Sequence, residues 1–99
     1  MQLSEALETY TRKRPKEILL VRIHIDDSDE EVLVFRGASS YLTRATPTDP
    51  GQPVIPDSAK LLGVDRQQAP YDPVTPTLLD TNLQMASLTK LLAEVGIEL

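Results

Sequence analysis

The 99-residue sequence contains no cysteine. That removes disulfides and thiolate metal sites together, and nothing in it asks for an oxidising compartment. Its single histidine, His24, is a poor start for a metal site, so neither metal nor cofactor is expected. No apolar run approaches the roughly 20 residues that a membrane-spanning helix needs. The N-terminus lacks the basic-then-apolar pattern of a secretion signal, and a soluble, cytoplasmic protein is the expectation. Four aromatics, Tyr10, Phe35, Tyr41 and Tyr71, offer little for stacking bases. Acidic residues outnumber basic ones 15 to 10, for a formal charge of −5, which argues against general nucleic-acid binding but leaves room for a local basic patch. Ser39 and Ser40 have no Gly-x-Ser-x-Gly elbow around them, and only His24 could serve them as base. The acidic run Asp26–Glu31 lacks the glycine and the ligand spacing of a calcium loop. Like charges there would keep a hairpin tip wet and discourage pairing at the sheet edge.

What is present centres on Glu17 to Arg36, two apolar runs flanking that acidic turn. In the first run Leu19, Val21, Ile23 and Ile25 alternate with Ile18, Leu20, Arg22 and His24, so a strand here has one wholly aliphatic face. Closing the hairpin symmetrically about Ser28 and Asp29 sets Ile25 opposite Val32 and Ile23 opposite Val34. The opposite face then carries Ile18, Leu20, Leu33 and Phe35 beside Arg22 and His24, too apolar for a plain solvated surface. Both faces ask for cover. The turn lacks the glycine that two-residue hairpin loops prefer, so a wider turn is an alternative.

On either side, the spacing of Leu3, Ala6, Leu7 and Tyr10 predicts a helix over 3–14 with Ser4 as N-cap, stopped by Pro15. Arg12, Lys13, Arg14 and Lys16 form the one basic concentration. They read first as a helix end complementing the dipole, and second as a site for an anion or an acidic partner. A third strand is predicted over 40–46 after Gly37, and a fourth over 60–66 with Gly63 marking a weak point or a bulge. Prolines at 47, 50, 53 and 56, and again at 70, 73 and 76, recur every three residues, the period of polyproline II. They read as rigid connections packed against the sheet rather than as ligands for SH3-like domains. Thr81 to Gln84 fits a capping box ahead of Met85, Leu88, Leu92 and Val95, and predicts a final helix ending at Gly96. Leu91 widens its stripe and leaves a dimer contact open.

Taken together, Tyr10-Thr11, Lys13-Arg14-Pro15, Glu17, Leu19-Leu20-Val21, Val34-Phe35, Gly37, Ser39-Ser40, Leu42, Val64-Asp65-Arg66 and Pro70-Tyr71-Asp72-Pro73 make the sequence resemble a small uncharacterised domain of cyanobacteria and chloroplasts. The resemblance runs from about Leu7 to Leu92. It implies a setting, cyanobacterial cytoplasm or plastid stroma near the photosynthetic machinery, and implies no catalytic residue.

The expected architecture is α+β in one domain, residues 1–99. It is an antiparallel sheet of three or four strands centred on the hairpin, with N-terminal and C-terminal helices; a small open β-barrel with flanking helices is the alternative. The leading function is a non-catalytic protein-interaction or assembly module. It would use the mixed face Leu20, Arg22, His24, Leu33 and Phe35, or the loop from Gly37 to Ser40. The second is binding of an anionic ligand or RNA through Arg12, Lys13, Arg14 and Lys16, extended by Arg36, Arg44 and Arg66. The third is a small enzyme with its site at Asp65, Arg66, Tyr71 and Asp72.

Overall fold

The computed structural model describes residues 1–49 and 51–99. Its elements run α1 (Leu3–Lys13), β1 (Glu17–Ile25), β2 (Ser28–Phe35), β3 (Ala38–Tyr41), β4 (Lys60–Gln68), β5 (Thr77–Leu83) and α2 (Met85–Ala93). The strands form one open antiparallel sheet in the order β3-β2-β1-β4-β5. The α+β expectation holds, with five strands in place of three or four, and the barrel alternative falls because β3 and β5 lie at opposite edges.

The hairpin turns at Asp26-Asp27 rather than Ser28-Asp29, with both aspartates at positive φ (52° and 61°). Two such residues make the tight mirror-image turn that matches strand twist, and aspartate tolerates this backbone region better than most side chains. Every pairing therefore moves by four positions, and Ile25 faces Ser28 while Val21 faces Val32. An even shift leaves each side chain on its expected face. A second two-residue turn, Arg36-Gly37, is also at positive φ and starts β3 at Ala38, earlier than predicted. β3 ends at Tyr41.

Both helices pack on the aliphatic face. Ala6, Leu7 and Tyr10 of α1 and Leu88, Leu91 and Leu92 of α2 share one core with Leu19, Val21, Ile23, Val32, Val34 and Val64. Each buried leucine contributes about 1.5–3 kcal/mol relative to exposure. Leu91 is only 6% exposed, so it belongs to this core and not to a dimer contact. Ser4 does not cap α1. Gln2 holds that position without a side-chain bond, and the Ser4 hydroxyl lies within the first turn, where it accepts from the Ile55 amide at 3.3 Å.

That bond, with the burial of Ile55 in the core and a Tyr41 hydroxyl bond to the Val54 carbonyl, ties down the first proline-rich connection. Pro50 lies outside the described residues. The supposed capping box is strand instead. Thr81 to Leu83 end β5, and α2 starts after Gln84, whose side-chain amide donates to the Leu62 carbonyl rather than to the helix. Gly96, at φ 79°, lets Ile97 close the end of α2 onto Leu92 as expected.

Candidate interaction face

With both helices on one side, the other face of the sheet is left to its own side chains, and the strand registers arrange it in transverse rows. One row runs Ala38, Phe35, Ile18, Gln67, Leu78. The next holds Ser40, Leu33, Leu20 and Asp65. Glu31, Arg22 and Gly63 follow, and Asp29, His24 and Lys60 come last. The face thus grades from apolar to charged along β1. All five predicted residues, Leu20, Arg22, His24, Leu33 and Phe35, lie on it and all are half-buried.

The charged end is internally paired. Arg22 clasps Asp65 with two bonds of 2.9 Å. That clasp holds the Asp65 carboxyl below the ordinary carboxylate range against the opposing effect of burial. The Asn82 amide donates to the same carboxylate at 2.8 Å. These side chains cross β4 where it carries no side chain of its own. A Cβ on Gly63 would collide with the Asn82 side-chain amide oxygen, and a bulge at Arg22/Ile23 accommodates the crossing. His24 Nδ1 lies 2.7 Å from an Asp29 oxygen.

The apolar end is hollow. The Gln68–Tyr71 segment leaves β4, and between it and Ile18, which is 1% exposed, lies a cleft of about 400 Å³. Leu33, Phe35, Pro70 and Tyr71 contribute its walls, and the charged residues lining it are Lys16 and Arg36. The Arg36 guanidinium stacks on the Phe35 ring, 5.0 Å from its centre. Beside Ile18, Gln67 is 3% exposed, and its side-chain carbonyl oxygen has no hydrogen-bond partner among the described residues. A buried acceptor left unpaired costs about 1–3 kcal/mol.

The other predicted residues are spent inside the fold. Arg12 reaches the Gly37 carbonyl and Thr9. Lys13 donates to the Val95 carbonyl at 2.8 Å, and Arg14 bridges the Tyr10 hydroxyl to Glu94 of α2. Three of the four cluster residues therefore fasten α1 to its neighbours, and Lys16 alone lines the cleft. Arg44 pairs with Asp26. The segment Gly37–Ser40 is likewise engaged, with the Gly37 amide on Thr11 and the Ser39 hydroxyl on Glu8.

Asp65, Arg66, Tyr71 and Asp72 do not converge. Asp65 faces the open side with Arg22, whereas Arg66, paired with Leu19, faces the helices. Asp72 caps its own turn through the amides of Val74 and Thr75. Arg66 instead completes a cluster that the sequence did not signal, joining Glu17 at 3.0 Å and Asp80 at 3.1 Å. The Tyr10 hydroxyl donates to Glu17 at 2.6 Å. Burial alone would raise the Glu17 pKa, but the bonds from Arg66 and Tyr10 outweigh it and hold the group below its ordinary value. This cluster fastens β5 and α1 to the centre of the sheet.

No helix among the described residues is long and apolar enough to cross a membrane, and no group of side chains among them has the makings of a metal site. No curated protein and no solved structure matches the chain. Residues 4–92 match the family described as "Domain of unknown function (DUF7734)", and the chain belongs to that family.

Proposed function

We propose that the chain is a non-catalytic protein-interaction module that receives its partner on the uncovered face of the sheet. The observation that carries this reading is the placement of both helices on the other side, which leaves Leu20, Leu33 and Phe35 only half-buried beside an apolar cleft. Apolar surface of this kind, bordered by charge, marks a contact site more often than solvated surface. The internal bonds of Arg12, Lys13 and Arg14 weigh against anion binding through the basic cluster, and the divergence of Asp65, Arg66 and Asp72 weighs against an enzyme. On the resemblance of the sequence we assign the setting to cyanobacterial cytoplasm or plastid stroma, near the photosynthetic machinery.

Affinity purification of tagged protein from its native cells tests this reading when run with the wild type and a Leu33→Lys variant of equal melting temperature. The expected result is one stoichiometric partner recovered with the wild type and lost with the variant. Equal recovery with both proteins would refute the face as the contact.

A further inference from the structure

The cleft differs from the rest of the uncovered face in three respects that together specify its occupant. Its walls are apolar, with Ile18 buried at its base and the Phe35 ring at one side. The charges that line it are both positive, Lys16 and Arg36, in a chain whose net charge is −5. The carboxylates of this face, Asp65, Glu31 and Asp29, stand in the successive rows away from it. The row through Ile18 also holds the unpaired Gln67 acceptor, and it ends at Leu78, which is 49% exposed on the edge strand β5.

We infer that the cleft takes a short acidic segment of a partner protein, presenting one large apolar side chain over Ile18 and carboxylates to Lys16 and Arg36. This rests on the reading of the face as an interaction surface and goes further by naming which end of it binds and what chemistry it binds. A volume of about 400 Å³ admits one bulky side chain with neighbouring backbone. An apolar anchor seated in a pocket with charges at its rim is the usual anatomy of a dominant contact. Arginine and lysine at such a rim set the sign of the partner through complementarity and guide its approach. A basic segment would instead be drawn to the Asp29 and Glu31 end, four strand positions or more from the Ile18 row along β1 and β2. An occupant lying along the row would also cover Leu78 at its β5 end.

The test is selection of a displayed library of random 12-residue peptides against the intact chain, with binders mapped by amide chemical-shift changes and re-measured against a Lys16→Glu/Arg36→Glu double variant. The expected result is enrichment of peptides with Leu, Phe or Trp flanked by Asp or Glu. Their shifts should centre on Ile18, Leu33, Phe35, Ala69 and Tyr71, and their affinity should be roughly tenfold weaker for a double variant that melts like the wild type. Enrichment of basic or uncharged peptides, or of none, would overturn the inference. So would acidic peptides whose shifts map to Arg22 and His24, although the uncovered face would then stand as the contact surface. Shifts confined to the two helices would remove both readings. Should the double variant melt early, Arg36→Gln alone gives the same comparison, with a loss of roughly threefold or more expected and unchanged affinity refuting.

Discussion

Gly63→Ala separates two opposing effects whose sizes can be worked from the structure. The Gly63 backbone is outside the left-handed region, so alanine is compatible with it and would by itself stabilise the protein by about 0.4–1 kcal/mol through the unfolded chain. Against this, the new Cβ would collide with the Asn82 side-chain amide oxygen and lie 3.3 Å from the Arg22 guanidinium. Asn82 must turn its side chain aside and give up its bonds. Its backbone is held at φ 50° with its amide on Asp65, and its side-chain oxygen accepts from Gln84 at 3.2 Å and from Arg22 at 3.5 Å. Displacing it forfeits those two long bonds and strains the bulge, together about 2–3 kcal/mol. The balance is a loss of about 1–2.5 kcal/mol, at roughly 4–8 °C of melting temperature per kcal/mol for a domain of this size. Urea unfolding of Gly63→Ala and Asn82→Gly, singly and together, reads the coupling directly. In the Asn82→Gly background, where the clashing amide is gone, the alanine should become neutral or stabilising. A Gly63→Ala protein as stable as the wild type would refute the crowding, as would an equal loss in both backgrounds.

Glu17→Gln should cost about 2 kcal/mol, because the Tyr10 hydroxyl and the Arg66 guanidinium lose a charged acceptor. The folded-state pKa values of Glu17 and Asp65 lie below their ordinary values of 4.5 and 3.8. Their contribution is therefore fully present above those values and is lost as the pH falls through the folded ones. The urea midpoint should drop as the pH is lowered below about 5, and Glu17→Gln should flatten that drop; an equal fall in the variant would contradict the assignment. Asp27→Gly should raise stability by about 0.5–1 kcal/mol, since glycine occupies positive φ without the penalty carried by a Cβ. A thermal melt that shows no gain would argue against the turn described.

The two faces of the hairpin were legible because alternation survives any even shift of register, so misplacing the turn from Asp26-Asp27 to Ser28-Asp29 cost nothing in face assignment. The turn itself was hidden because two aspartates do the work usually signalled by asparagine and glycine. β5 was missed for a different reason. Thr77 to Leu83 lacks alternation, its pairing with β4 shifts twice, and Thr81-Asn82-Leu83-Gln84 carries the letters of a helix start. The five residues of the mixed face could be read from one hairpin. The cleft could not, since Lys16, Arg36 and Tyr71 meet only once β4 has paired with β1. Nor could the Glu17–Arg66–Asp80 cluster, whose members approach through tertiary pairing and look in sequence like ordinary surface charges.

The position of β1 also orders events in time. It is first in the chain among the strands yet central in the sheet, with a local neighbour on one side and a distant one on the other. Its pairing with β2 closes a two-residue turn, an event on the scale of about 1–10 μs. Its pairing with β4 must wait for the long connection from Leu42 to Ala59 to be drawn in, at a larger entropic cost. Ile55, by entering the core midway along that connection, divides one long closure into two shorter ones. The cleft, which needs both neighbours of β1, can therefore form only after β4 has paired.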